Sequence, residues 1–79
     1  MPKENLPPLI TTAPGRYRHY KGNFYEVLDT VRHSETCEPM TLYRALYGER
    51  DLWVRPAAMF QEEIEFKGVR QPRFAKVAQ

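Results

Sequence analysis

The sequence predicts an all-β fold: a small, five-stranded, partly open SH3-like barrel with one short helical turn before the last strand. Three observations carry this expectation. Aromatic and β-branched residues gather in short runs, as in Phe24-Tyr25-Glu26-Val27 and Met40-Thr41-Leu42-Tyr43. Tight-turn signals separate the runs, at Lys21-Gly22-Asn23, Gly48-Glu49-Arg50-Asp51 and Lys67-Gly68. The link between the third and fourth runs is only four residues, Gly48 to Asp51. That is too short for the helix an OB arrangement places there.

Residues 1–14 read as a flexible, Pro-rich N-terminal arm, because Pro2, Pro7, Pro8 and Pro14 block regular pairing. Leu6, Leu9 and Ile10 are its means of docking back on the barrel. The β domain is expected over residues 15–74, with residues 75–79 a loose tail. Its first strand runs from Gly15 to Lys21 and its second from Phe24 to about His33. In the second, Tyr25, Val27 and Val31 share one parity while Phe24 and Leu28 share the other. Apolar residues on both sides fit a strand bent by a bulge or one buried on both faces. The polar loop His33–Pro39 leads to a third strand from Met40 to Tyr47, and a fourth spans Leu52 to Arg55. Pro56 suits the first position of a helical turn that ends near Phe60. Glu62–Phe66 reads as the fifth strand, and Val69–Phe74 as a last extended piece.

Seventy-nine residues make one domain. At this size roughly 60% of the unfolded chain's surface is buried, which supports one thin core. Any site is therefore a shallow groove or patch, unless a second copy supplies another wall. The formal charge is only +2, well short of the excess of an electrostatic duplex binder. Eight of the twelve basic residues are arginine, the base that pairs bidentately with carboxylate or phosphate and stacks on rings. Cys37 is the single cysteine, which excludes an internal disulfide. With no leader and no apolar run near the roughly 20 residues of a membrane span, the expectation is a cytoplasmic protein without a membrane partner.

The hairpin Met40–Pro56 yields a geometrical expectation. An even-numbered turn makes positions summing to 99 face one another, pairing Arg44 with Arg55 and Leu46 with Trp53. Alternation then places Tyr43, Ala45, Tyr47, Leu52 and Val54 on a core face. Leu42, Arg44, Leu46, Trp53 and Arg55 fall on the other. Two arginines directly opposed need an anion between them. Either Glu26 or Glu35 supplies it, or a ligand does, with Trp53 as a stacking platform. A three-residue turn reverses every one of these assignments. By size alone, Trp53 is the ordinary choice for a core residue, while Tyr17, Tyr20 and Tyr25 stay open between core and site. The ligand-binding set from this reasoning is Arg18, Arg44, Trp53 and Arg55, with His33, Ser34, Glu35 and Thr36 at the rim.

No catalytic constellation is recognisable. His33-Ser34-Glu35 holds the residue types of a hydrolase triad, but neighbours in an extended loop point apart. The ordinary reading of that loop is a turn tied by Ser34 or Thr36 hydroxyls. His19, His33, Glu35 and Cys37 match no structural zinc spacing, so no metal is expected, and no cofactor either. The four glycines sit singly at turns and form no phosphate loop. Glu62, Glu63 and Glu65 read as a solvated edge that discourages aggregation.

Several blocks are similar to a known family. They are Gly15-Arg-Tyr-Arg-His-Tyr-Lys-Gly22, Tyr25-Glu-Val27, Arg32-His-Ser-Glu-Thr36, Tyr43-Arg-Ala-Leu-Tyr-Gly48 and Leu52-Trp-Val-Arg-Pro56 with Met59-Phe60 and Pro72-Arg-Phe74. Together they resemble the small bacterial family catalogued as domain of unknown function 1653, from Gly15 to Phe74. The resemblance implies a compact bacterial domain, alone or attached to others, and brings no activity with it. Cys37 stands where the family suggests an aliphatic residue. The function expected is a non-enzymatic binding module for an anionic planar ligand: a nucleotide, a short single-stranded nucleic acid or an acidic peptide. The alternatives are a protein-interaction or regulatory domain, including a homodimer paired through a strand edge, and a small nucleotide-processing enzyme with His33 as general base.

Overall fold

The structure, a computed structural model, describes residues 8–77. Its strands are β1 (Gly15–His19), β2 (Phe24–Arg32), β3 (Pro39–Ala45), β4 (Leu52–Pro56), β5 (Glu63–Phe66), β6 (Val69–Pro72) and β7 (Phe74–Lys76). A four-residue helix, α1 (Ala57–Phe60), joins β4 to β5. Five strands form one antiparallel sheet in the order β4-β3-β2-β1-β7, and β5 pairs with β6 as a separate hairpin. The sheet does not close, because its outermost strands β4 and β7 pair with one neighbour each. No helix among the described residues is long and apolar enough to cross a membrane.

One side of the sheet, the inner face, carries the core. Tyr17 of β1, Val27 of β2 and Tyr43 of β3 project from it against Phe60 of α1 and Phe74 of β7, and all five are buried. Phe60 and Phe74 stack in parallel at 4.0 Å, and Tyr17 meets Phe60 edge-on at 5.4 Å. So small a domain draws most of its burial from aromatic rings, each removing roughly 150–250 Å² from water.

The bulge suggested for β2 is present: the pairing with β3 shifts between Val27 and Asp29, leaving Leu28 as the extra residue. The shift reverses parity along the strand. Val27 faces inward opposite Tyr43, whereas Val31 pairs with Met40 on the other, outer, face.

The β3–β4 register departs from expectation. The pairs are Arg44 with Leu52, Tyr43 with Trp53, Leu42 with Val54 and Thr41 with Arg55, so positions sum to 96 rather than 99. The connection is six residues long, not four, because β3 ends at Ala45. Leu46 turns its amide to Phe24 of β2, and the Arg50 amide closes a turn on the Tyr47 carbonyl. Arg50 adopts a positive φ of 59°, and its carbonyl accepts a 2.7 Å hydrogen bond from the Arg44 guanidinium. An odd-numbered shift exchanges the faces of one strand relative to the other. Trp53 and Arg55 therefore join Tyr43 on the inner face, while Leu52 and Val54 join Leu42 and Arg44 on the outer. Of the expected core face, Tyr43 and Ala45 are buried, whereas Tyr47, Leu52 and Val54 are exposed.

Smaller corrections concern the ends. Pro56 is the last residue of β4 and the N-cap of α1 rather than its first helical residue. Ala75 and Lys76, expected in a loose tail, pair with Arg18 and Tyr17. Within the expected arm, Thr12 is buried: its hydroxyl bonds that of Thr41 at 2.8 Å and accepts from Gln61, and its amide donates to the Thr30 hydroxyl. Tyr17 donates its phenol to the Ala13 carbonyl at 2.7 Å. The flexible-arm and loose-tail assignments at 1–7, including Leu6, and at 78–79 lie outside the described residues. Two residues of the acidic run form ion pairs, Glu63 of β5 with Arg70 of β6, and Glu62 with Arg73 just outside the two strands.

Candidate functional site

The inner face is not fully roofed. Beyond the Phe60–Phe74 stack it continues toward β4 as a shallow, aromatic-floored concavity. Tyr25 meets Tyr43, Tyr47 and Phe74 edge-on at 5.4–5.6 Å. Its phenol shares a 2.8 Å hydrogen bond with that of Tyr47, which has left the β3 ladder to make it. Next to this pair lies a hollow of about 220 Å³ lined by Ala45, Tyr47, Trp53 and the turn 48–51. Trp53 is 56% exposed at its lip, so this indole is a surface platform and not the core residue its size suggests.

Arg55 follows two residues later on the same strand face, about 7 Å along β4. It is half-buried, with its guanidinium carbon 5.8 Å from the centre of the Phe74 ring. Among the described residues it has no carboxylate within ion-pair reach, since the two ion pairs present involve Arg70 and Arg73. Its Nε, like that of Arg73, is buried and has no hydrogen-bond partner among the described residues. A desolvated donor left unsatisfied is costly, and native proteins seldom leave one without reason.

The charge of this corner is positive, and it acts on its neighbours. His19 is held below the usual imidazole range, first by burial and then by the Arg73, Arg55 and Lys21 cations. Its Nδ1 accepts the Lys21 amide at 3.2 Å, so that nitrogen carries no proton. Tyr25 is pushed up to about 12 by burial first, then by its bond to Tyr47. Burial also raises Tyr17. The phenols thus act as neutral hydrogen-bonding groups near neutrality, and the arginines hold the charge.

The site residues expected from sequence do not all meet. Trp53 and Arg55 share the inner concavity, but Arg44 lies on the outer face, where it braces the 46–51 turn and sits opposite Glu26. The opposed pair of arginines does not exist. Arg18 is exposed, on the outer face opposite Phe24, and its guanidinium lies over Gly22. His33, Ser34, Glu35 and Thr36 form the β2–β3 loop, at the Pro39 end of β3. Arg44 is six residues from Glu38 along extended chain, about 20 Å, so that loop is no rim to a pocket at Arg44. The loop bonds mostly to itself: His33 Nδ1 accepts the Glu35 and Thr36 amides, and the Thr36 hydroxyl accepts the Glu38 amide. With its Nδ1 lone pair so used, His33 works as the organiser of a turn. Among the described residues, no three of His, Cys, Asp or Glu gather to hold a metal ion. Tyr47, Phe74, His19 and Arg73 were not expected at the site. Only the adjacency of Tyr47 to Gly48 hints in sequence that it leaves the strand.

Comparison with known proteins agrees with this architecture. The family model described as protein of unknown function, DUF1653, matches residues 15–76. The crystal structure of a protein of that family from Bordetella bronchiseptica is similar at 37% identity and a TM-score of 0.78. The match covers 84% of this chain and 87% of that one. No curated protein matches the chain. The match takes in β1 to β7, among them the β3–β4 hairpin that lines the hollow, and the chain belongs to the DUF1653 family of proteins of unknown function.

Proposed function

We propose that this domain is a non-enzymatic binding module for an anionic planar ligand, of which a nucleotide or the end of a short nucleic-acid single strand is the best fit. The observation that carries this reading is Arg55. Among the described residues it is a half-buried guanidinium with no carboxylate partner and no hydrogen bond at Nε, two residues from an exposed tryptophan on the same face. Stacking of a base on such a ring contributes about 1–3 kcal/mol. A charge-assisted bond from Arg55 to phosphate adds about 1.5–3 kcal/mol.

Glu49, Arg50 and Asp51 line the turn end of the hollow. Arg55 lies outside the lining, beyond Trp53 and two residues farther along the same face of β4. A base stacked on Trp53 would direct its amino donors to the carboxylates and its phosphate to Arg55. An acidic peptide would place carboxylates beside Glu49 and Asp51, with Arg50 offsetting only one of the two charges, which makes it the poorer fit. Trp53 is the only tryptophan, so its fluorescence reports directly on the platform. Titration with nucleoside monophosphates and dinucleotides should quench it and shift the Trp53 indole and Arg55 side-chain resonances. Unchanged fluorescence and resonances up to millimolar ligand would end this reading.

A further inference from the structure

The open edge of β4 is suited to a second copy of itself. The Ala45 amide donates to the Asp51 carbonyl, which makes that pair of the hydrogen-bonded kind. By the alternation of an antiparallel ladder, Tyr43–Trp53 and Thr41–Arg55 are of the same kind. The amides and carbonyls of Leu52 and Val54 therefore point away from β3, to the open side. On either flank the edge stops being usable. Pro56 has no N–H to give, and Arg50 is at φ 59° with its amide already donated to Tyr47. Leu52 and Val54 are the two residues offering a full donor and acceptor.

From this edge we infer a symmetric dimer in which β4 pairs antiparallel with β4 of a second copy, Leu52 opposite the partner's Val54. That register uses all four outward peptide groups of each chain. A slip of two residues either way sets Pro56 or Arg50 opposite a residue that needs a partner. The same register places Trp53 across from its own copy on the twofold axis. It also sets Asp51 across from the partner's Arg55 on the inner face, opposite charges in direct apposition. Leu52, Trp53 and Val54 are 51%, 56% and 51% exposed, and β4 carries no lysine of the kind that usually blunts a free edge. The other edge strand, β7, is only three residues long and ends in Lys76.

Two short strands bury little area, so association is weak and concentration-dependent. Pairing covers Trp53 and brings a carboxylate toward Arg55, and so it opposes the anionic ligand proposed above. Sedimentation of the full chain between about 10 µM and about 1 mM tests it, a range in which weak, small interfaces separate. The mass should rise from 9.3 kDa toward twice that value. Val54→Lys, on the outer face and away from the concavity, should stay monomeric with an unchanged melt and keep ligand binding. Leu52→Lys should do the same. In a Cys37→Ala background, Trp53→Cys should form an intermolecular disulfide under mild oxidation, because non-hydrogen-bonded partners approach to about 4.5–5.5 Å. Val54→Cys should not. A mass of 9.3 kDa at the highest concentration, dimers that survive both lysine variants, or equal cross-linking at 53 and 54 would overturn the inference. None of these results bears on whether the monomer binds a nucleotide.

Discussion

Replacing Arg44 and Arg55 separately by alanine separates the two faces of the sheet. Arg44 makes a 2.7 Å charged hydrogen bond to the Arg50 carbonyl, an exposed contact that holds the β3–β4 turn. Bonds to charged groups are worth about 1.5–3 kcal/mol, and solvent exposure brings this one to about 1 kcal/mol. For a domain of this size that lowers the melting temperature by about 4–8 °C. Binding should not change, since Arg44 is absent from the concavity. Arg55→Ala has the opposite profile. It forfeits a cation–ring contact with Phe74 worth about 0.5–1 kcal/mol. It also removes a buried Nε whose missing partner costs about 1–3 kcal/mol. The gain equals or exceeds the loss, so the melt should stay put or rise. Loss of one charge-assisted bond to phosphate should weaken nucleotide binding roughly 10- to 150-fold. Thermal melts by circular dichroism and titration calorimetry on both variants give the four numbers. Equal losses of affinity in the two variants, or collapse of the fold on Arg55→Ala alone, would refute the division of roles.

Other outcomes follow from the same geometry. Phe60→Ala removes the ring that stacks on Phe74 and touches Tyr17 and Tyr43, and should cost about 3–5 kcal/mol in urea unfolding. That is a large share of the roughly 4–12 kcal/mol that a domain of this length holds, so a near-normal urea midpoint would show the core is misplaced. Tyr25, at about 12 in the fold against about 10 unfolded, retains its proton longer when folded, so stability should be complete below pH 10 and decline between pH 10 and 12. Tyr25→Phe should flatten that decline in alkaline melts. His19 should titrate by NMR below 6.5, so the unfolded state takes up protons first and stability should fall as pH drops below that value. Arg55→Ala should move the His19 midpoint upward, and no movement would place the guanidinium elsewhere.

Local signals made most of the fold readable. Gly22, Gly48 and Gly68 each occupy a positive-φ turn position, so the existence of the three turns was visible, although β3 ends two residues earlier than Gly48 suggests. The two-sided apolarity of Phe24–Val31 fitted either a bulge or burial on both faces, and the structure has the bulge, with Phe24, Leu28 and Val31 exposed. Strand parity between β3 and β4 was not readable. Leu46 and Tyr47 have the composition of strand residues, and only tertiary partners remove them from the ladder: the Phe24 carbonyl for one and the Tyr25 phenol for the other. Arg50 gives no compositional warning of a left-handed backbone, since glycine or asparagine usually marks that position. Arg44 compensates by bonding its carbonyl. Trp53 was ambiguous for a different reason, named both as a stacking platform and, by size alone, as a core residue. Its size suggests burial, yet a residue on an edge strand lacks a neighbour on one side.

The displaced register and the candidate site have one origin. If Leu46 and Tyr47 continued β3, the four-residue turn would set Tyr47 opposite Leu52 and carry Trp53 to the outer face with Arg44. Because Tyr47 instead crosses to Tyr25, the connection lengthens to six residues and Trp53 turns inward with Arg55. The hollow beside Trp53 is the space this longer loop encloses. Two exposed rings, and a guanidinium with no carboxylate partner among the described residues, occupy a face that a regular hairpin would fill with Leu52 and Val54. A chain selected only for folding gains nothing from that exchange. Local departures from the best-packed arrangement tend to concentrate where a protein binds something. The strain of Arg50 and the exposure of Trp53 lie within four residues of each other, on either side of Asp51 and Leu52, and both face the same hollow.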